Sequence, residues 1–77
     1  MTDREIVKAI MTAGGISNAA LARQLGITDA AMWDRLNNKK NKSLSTNTLR
    51  ELLQPLGYKL VVLPEDAPVP EGGFPVN

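Results

Sequence analysis

Apolar residues recur at helical spacing through the first 57 residues, between residue types that begin and end helices. Thr2 and Glu5 fit the spacing of a capping box, and the apolar pattern that follows them stops at Gly14 and Gly15. This pattern predicts a first helix over residues 3–13.

Two shorter helices follow, separated by only a few residues. Ser17 is a good N-cap for a helix over residues 18–25, which Gly26 would end. Thr28 can cap a third helix that fades near residues 37–38. Together these signals predict a pair of short helices joined by a tight turn.

A fourth helix has a choice of caps and a complete apolar stripe. The candidate caps are Ser45, Thr46 and Asn47. The stripe consists of Leu49, Leu52, Leu53 and Leu56. Pro55 should loosen the last turn before Gly57, because proline removes a helix hydrogen bond.

The pattern changes after Gly57. Residues 58–63 include an aromatic residue, Tyr58, and two β-branched ones, Val61 and Val62; they are too few for a helix and are closed by Pro64, so they predict a strand. Residues 64–77 contain four prolines and no periodicity, which predicts an extended or disordered tail. We therefore divide the chain into a domain over residues 1–57, a strand over 58–63 and a tail over 64–77.

Composition excludes several classes of site. The 77 residues contain no cysteine and no histidine, so a disulfide framework, a thiolate metal site and a histidine base are all impossible. No nucleophile motif or phosphate-binding glycine loop is present either, and we expect no enzyme, no metal, no cofactor and no small-molecule substrate.

The net charge of +1 combines a body of charge +4 with a tail that holds three acids and no base. A basic body is compatible with a polyanionic partner.

The chain shows no sign of a membrane or secretory segment. No apolar run approaches the roughly 18 residues that cross a bilayer, and residues 1–5 are polar where a signal peptide would be apolar. We expect no membrane partner and a cytoplasmic protein.

Residues 21–28 carry the strongest motif. Ala22 is small enough for a steep crossing of the second and third helices, and Gly26 accepts the positive φ that the tight turn needs. The surrounding apolar interior would be formed by Leu21, Leu25, Ile27 and Met32. This combination is typical of a helix-turn-helix.

The sequence Leu-Ala-Arg-Gln-Leu-Gly-Ile-Thr at residues 21–28 resembles the helix-turn-helix core of the lambda-repressor-like (Xre/Cro) transcriptional regulators. The resemblance covers about residues 3–56. It implies an all-α bundle of four to five helices whose third helix enters the major groove of DNA. The family often has a large apolar residue where Arg35 stands, and here Leu36 takes that packing role.

The resemblance and the groove geometry together nominate base-reading residues on the third helix. They are Thr28, Asp29, Ala30, Trp33 and Asp34. Asp29 could accept a hydrogen bond from cytosine N4, or it could simply stabilise the first helical turn. Trp33 could contact the groove or pack internally, and Asp34 could pair locally with Arg35 or Asn38.

A second set of residues is expected to contact phosphates. Lys39, Lys40 and Lys42 follow the third helix, where the resemblance implies a loop along the DNA backbone, although a solvated basic loop is the simpler interpretation. The residues around the second helix, whose N-terminus can hold a phosphate, are Ser17, Asn18, Arg23 and Gln24.

The predicted strand has no partner elsewhere in the chain. We expect it to pair antiparallel with the same segment of a second copy. The interface residues would be Tyr58, Leu60, Val61, Val62 and Leu63. Such a homodimer would place two recognition helices about 34 Å apart, facing a near-palindromic operator.

The sequence therefore favours a sequence-specific regulator of transcription, a repressor that binds double-stranded DNA. A protein-interaction module, such as an antitoxin or a phage adaptor, remains the alternative, because the same helical bundle can serve either purpose.

Overall fold

The computed structural model describes residues 1–38 and 43–76 and is built from α-helices. These are α1 (Asp3–Gly14), α2 (Asn18–Leu25), α3 (Asp29–Asn37) and α4 (Thr46–Leu53), followed by a 3-10 turn, Gln54–Leu56. No strand occurs in the described ranges. The prediction of an all-α helix-turn-helix fold is confirmed. The longest helix in these ranges, α1, has 12 residues, fewer than the roughly 18 that a membrane-spanning helix needs.

Side-chain caps explain where the helices begin. Thr2 and Glu5 form the predicted capping box, with each side chain bonded to the backbone N–H of the other residue. The hydroxyls of Ser17, Thr28 and Ser45 each accept from the N–H three residues onward, at 3.1 Å. Each cap satisfies a donor that the first turn of a helix leaves without a partner.

The helix ends also follow local chemistry. α1 is one residue longer than predicted, because Gly15 rather than Gly14 adopts the left-handed conformation, at φ 66°. α4 passes into a 3-10 turn at Gln54, where Pro55 cannot continue the α-helical hydrogen bonds. The prediction of a loosened last turn is confirmed.

One apolar core joins all four helices. Its buried members are Ile6, Val7, Ile10 and Met11 from α1, Leu21 and Ala22 from α2, Met32 and Leu36 from α3, and Leu49, Leu52 and Leu53 from α4. Ile16, Leu25, Ile27, Leu44, Leu56 and Leu60 pack around them. Every helix contributes at least two buried side chains, so no helix can leave without opening the core.

Residues 58–76, which we call the C-terminal arm, contain neither helix nor strand. The strand predicted over residues 58–63 is not found within the chain. A strand requires a hydrogen-bonded partner, and the described part of the chain offers none. Pairing with a second copy remains a prediction.

The arm returns towards the N-terminus through two turns. The turns are closed by hydrogen bonds from Ala67 N–H to Pro64 O and from Gly73 N–H to Pro70 O. They bring the ring of Phe74 to 6.0 Å from that of Tyr58. An open cavity of about 670 Å³ lies between the arm and the apolar side of α1 and α4.

Candidate nucleic-acid interface

The helix α3 has one buried side and one accessible side. Met32 and Leu36, four residues apart, are buried in the core. All five predicted base-reading residues are exposed: Thr28, Asp29, Ala30, Trp33 and Asp34. Trp33 is 61% exposed and therefore does not pack internally. We call the surface formed by these five residues the outer face of α3.

The crossing of α2 and α3 has the predicted features. Ala22 is fully buried between the helices. Gly26 ends α2 with φ 69°, and Ile27 N–H then reaches back to Ala22 O at 3.0 Å. A residue with a Cβ would be strained at such a φ, so the tight turn depends on glycine.

Asn18 braces the crossing from the other end. Its Nδ2 donates to Asp29 O at 3.2 Å, which ties the start of α2 to the start of α3. The sequence nominated Asn18 for a phosphate contact, and that contact remains a prediction. In the structure its amide holds the beginning of the outer face of α3 in place.

Polar side chains of α1 hold the other end of α3, a role that sequence reasoning missed. Arg4 Nε donates to Arg35 O at 2.9 Å, and Lys8 Nζ donates to Asn37 Oδ1 at 2.7 Å. Cations near the C-terminus of a helix also favour its dipole. The four-residue spacing of Arg4 and Lys8 could have indicated that they share one face of α1, but not that this face contacts α3.

Asp3 anchors the segment that leads into α4. It is the buried acidic residue of the described chain, and its Oδ2 accepts from Leu44 N–H at 2.7 Å. Its Oδ1 accepts from Arg4 N–H, also at 2.7 Å. A buried carboxylate needs such hydrogen-bond partners. The bond from Leu44 N–H to Asp3 also holds the backbone just beyond the lysine-rich residues 39–42.

Only some of the residues predicted to contact phosphates lie in the described part of the chain. Ser17, Arg23 and Gln24 lie around α2, where they are at least partly accessible to a partner. Ser17 already uses its hydroxyl as the N-cap. Lys39, Lys40 and Lys42 lie outside the described residues.

The electrostatics of the outer face of α3 are acidic. The Asp29 side chain makes no hydrogen bond in the described structure, and Asp34 Oδ2 accepts only a long bond from Asn38 Nδ2, at 3.4 Å. The single basic residue of α3, Arg35, points towards α4, with its Nη1 4.0 Å from Glu51 Oε2. The face thus presents acceptors and apolar surface without a basic side chain.

The predicted dimer residues lie in the arm. Val62 is 100% exposed and Val61 60%, while Leu63 and Tyr58 are also exposed. Leu60 instead packs against the core. No three metal-ligating side chains converge within residues 1–38 and 43–76.

Comparison with known proteins finds a similarity over the first three helices. A family model described as winged helix-turn-helix DNA-binding matches residues 2–38, which contain α1, α2 and α3 and make up just under half of the chain. A wing is a β-hairpin, and the described residues contain none. No curated protein and no solved structure matches the chain. Over α1–α3 the chain is therefore similar to winged helix-turn-helix DNA-binding proteins, and this similarity supports a DNA-binding regulator.

Proposed function

We propose that this chain is a sequence-specific regulator of transcription of the lambda-repressor-like kind, a repressor that binds double-stranded DNA as a homodimer. The outer face of α3 carries the proposal. It is exposed along the helix, while Met32 and Leu36 anchor the helix from behind. A helix held in this way can enter a major groove without rearrangement of the core.

Both ends of α3 are fixed, which suits a helix that must read bases. Asn18 holds the first residue, and Arg4 and Lys8 hold the last turn. Phosphate contacts would come from Arg23 and from Lys39, Lys40 and Lys42, which flank α3 in sequence. Such contacts fix the position of a protein on the duplex, and base contacts then select the sequence.

The dimer is proposed to form through the arm. Tyr58, Val61, Val62 and Leu63 expose apolar surface that a second copy could bury. A twofold arrangement would present two copies of α3 to half-sites about 34 Å apart, so the operator should be nearly palindromic. Repression would follow from occlusion of the promoter.

The decisive experiment is a titration of random duplex DNA at several salt concentrations. Trp33 is the sole tryptophan and lies on the outer face of α3, so its fluorescence reports binding directly. We expect log Kd to rise linearly with log salt between about 50 and 200 mM, because phosphate contacts release counterions. Absence of binding at the lowest salt would refute the proposal.

A triple variant sharpens this titration. Replacing Lys39, Lys40 and Lys42 by alanine should reduce the salt slope by about 0.9 for each phosphate that is no longer neutralised. Arg50→Ala removes one positive charge from the exposed side of α4, away from the proposed contacts, and serves as a single-charge control. Equal slopes for the two variants would exclude phosphate contacts by the three lysines.

The proposed dimer needs its own measurement. Sedimentation at micromolar concentration should return a dimer for the parent chain and a monomer for Val62→Asp, because a charge would be buried at the interface. The side chain of Val62 is fully exposed in the single chain, so the substitution should not disturb folding. A parent chain that sediments as a monomer would refute the dimer.

One observation favours a second candidate, a protein-interaction module that does not bind DNA. The outer face of α3 carries Asp29, Asp34 and an exposed tryptophan, a composition that also suits a protein partner. The module would act by binding, and we propose no enzymatic activity for either candidate. Failure to bind duplex at low salt would favour this alternative.

A further inference from the structure

The same pairing of a carboxylate with an apolar side chain occurs twice on the outer face of α3. Asp29 and Trp33 are four residues apart, as are Ala30 and Asp34, so each carboxylate has an apolar neighbour on the same helix face. All four side chains are exposed. Each pair presents a hydrogen-bond acceptor beside an apolar surface.

A carboxylate in the major groove can only accept hydrogen bonds, and this excludes most base edges. Guanine presents two acceptors, N7 and O6, and thymine presents the acceptor O4 beside its methyl group. Adenine offers a donor, N6, but with the acceptor N7 next to it. Cytosine alone offers a donor, N4, without an acceptor at its side.

The amino nitrogen N4 of cytosine is bonded to C4, and the neighbouring ring carbon in the major groove is C5. This carbon carries hydrogen in ordinary DNA and a methyl group in 5-methylcytosine. An acceptor beside an apolar surface is therefore complementary to N4 beside a C5 methyl group. Arginine, the usual reader of guanine, is absent from this face, because Arg35 points towards Glu51.

We propose that the outer face of α3 selects cytosine in the operator and binds cytosine methylated at C5 more tightly than unmodified cytosine. Asp29 and Asp34 accept from N4, while Trp33 and Ala30 contact the methyl group. This inference rests on the proposed binding of DNA.

The two carboxylates are available for this role. The Asp29 carboxylate accepts no hydrogen bond in the described structure, and the bond that Asp34 accepts from Asn38 is 3.4 Å long. The simpler role of Asp29, stabilisation of the first turn of α3, predicts an effect on thermal stability and none on base preference. The two roles are thus separable by measurement.

The test begins with selection from a random duplex library of about 20 base pairs, long enough for two half-sites one helical turn apart. The selected duplex is then prepared in three forms, with cytosine, 5-methylcytosine or N4-methylcytosine. We expect enrichment of cytosine, affinity about fourfold higher for each contacted C5 methyl group, and weaker binding when N4 is methylated.

Variants assign the preference to residues. Asp29→Asn and Asp34→Asn should each lower the discrimination for cytosine by about tenfold, because an amide can also donate to purine N7. Asp66→Asn makes the same change in the arm and should leave the discrimination intact. Trp33→Ala should remove the gain from the C5 methyl group that Trp33 contacts and leave the gain at the Ala30–Asp34 pair, while the helix stays folded.

The outcomes separate the two proposals. Duplex binding without preference among the three cytosine forms would overturn this inference and leave the proposed function standing. Failure to bind any duplex would overturn both. A preference that survives in Asp29→Asn and Asp34→Asn would show that other residues read cytosine, and this would also overturn the assignment.

Discussion

The helices and the C-terminal arm use their apolar residues in opposite ways. All eleven buried apolar residues of the described chain lie in α1–α4, whereas seven of the nine large apolar residues that are exposed lie in the arm. Both regions are apolar in sequence, but only the first has helical periodicity. Helical periodicity, rather than apolar content, therefore distinguishes the residues that enter the core from those that stay exposed.

The contrast extends to hydrogen bonds. In the helical body, caps fix the helix ends, and side-chain bonds such as that between Asp3 and Leu44 N–H join segments far apart in sequence. In the arm, the two turns are closed within four residues, and among the described residues its long-range hydrogen bond runs from the Met1 amino group to Pro75 O, at 3.5 Å. We therefore expect the body to unfold as one unit and substitutions in the arm to leave that transition almost unchanged.

The largest expected contrast is between Leu21→Ala and Val62→Ala. Leu21 is fully buried where α2 meets the core, so its truncation should lower the free energy of unfolding by about 2–5 kcal/mol. Val62 is fully exposed, and its truncation should change the free energy of unfolding by about 0.5 kcal/mol or less. Urea denaturation followed by circular dichroism measures both. Equal losses would refute the division between body and arm.

The sequence alone predicted the body closely, because its signals are local. Caps such as Ser17 and Thr28 and the glycine at position 26 define helix ends whatever the rest of the fold does. The exposed side of α3 was also predictable, since Met32 and Leu36 mark its buried side.

The ties between distant segments were not predictable. Nothing in the sequence pairs Asp3 with Leu44 or Arg4 with Arg35, because a hydrogen bond across about 30 residues or more leaves no periodic trace. The path of the arm was missed for the same reason. Its turns depend on proline and glycine, but its return to Tyr58 depends on the ring of Phe74.

A second contrast compares Asp3→Ala with Asp66→Ala. Loss of the Asp3 carboxylate leaves Leu44 N–H without its partner, and such a loss costs about 1–3 kcal/mol in the free energy of unfolding. Asp66 is exposed in a turn of the arm, and its loss should have little effect on that free energy. Thermal unfolding compares the two variants at equal net charge. An unaffected Asp3→Ala variant would mean that the tie between α1 and Leu44 is not stabilising.

A smaller contrast uses two glycines with similar backbone conformations. Gly26 has φ 69° and Gly72 has φ 82°, and a Cβ at either position would meet nothing within 4 Å. Alanine therefore introduces backbone strain alone, about 1–2 kcal/mol. Gly26→Ala should lower the melting temperature because α2 and α3 share the core, whereas Gly72→Ala should strain only a turn of the arm. Similar losses would show that the arm unfolds together with the body.

The smallest expected contrast concerns pH and the capping box. The hydrogen bond from Thr2 N–H holds the pKa of Glu5 below its ordinary value of 4.5, so the ionised carboxylate favours the folded state. This contribution is complete above the unfolded pKa and is lost as the pH falls through the lower, folded pKa. The stability gap between the parent chain and Glu5→Gln should therefore be largest near neutral pH and shrink as the pH falls below the ordinary value of 4.5. Glu65→Gln, in the exposed arm, should show no such pH-dependent gap. A gap for Glu5→Gln that stays constant with pH would mean that ionisation of Glu5 contributes nothing to the stability of the fold.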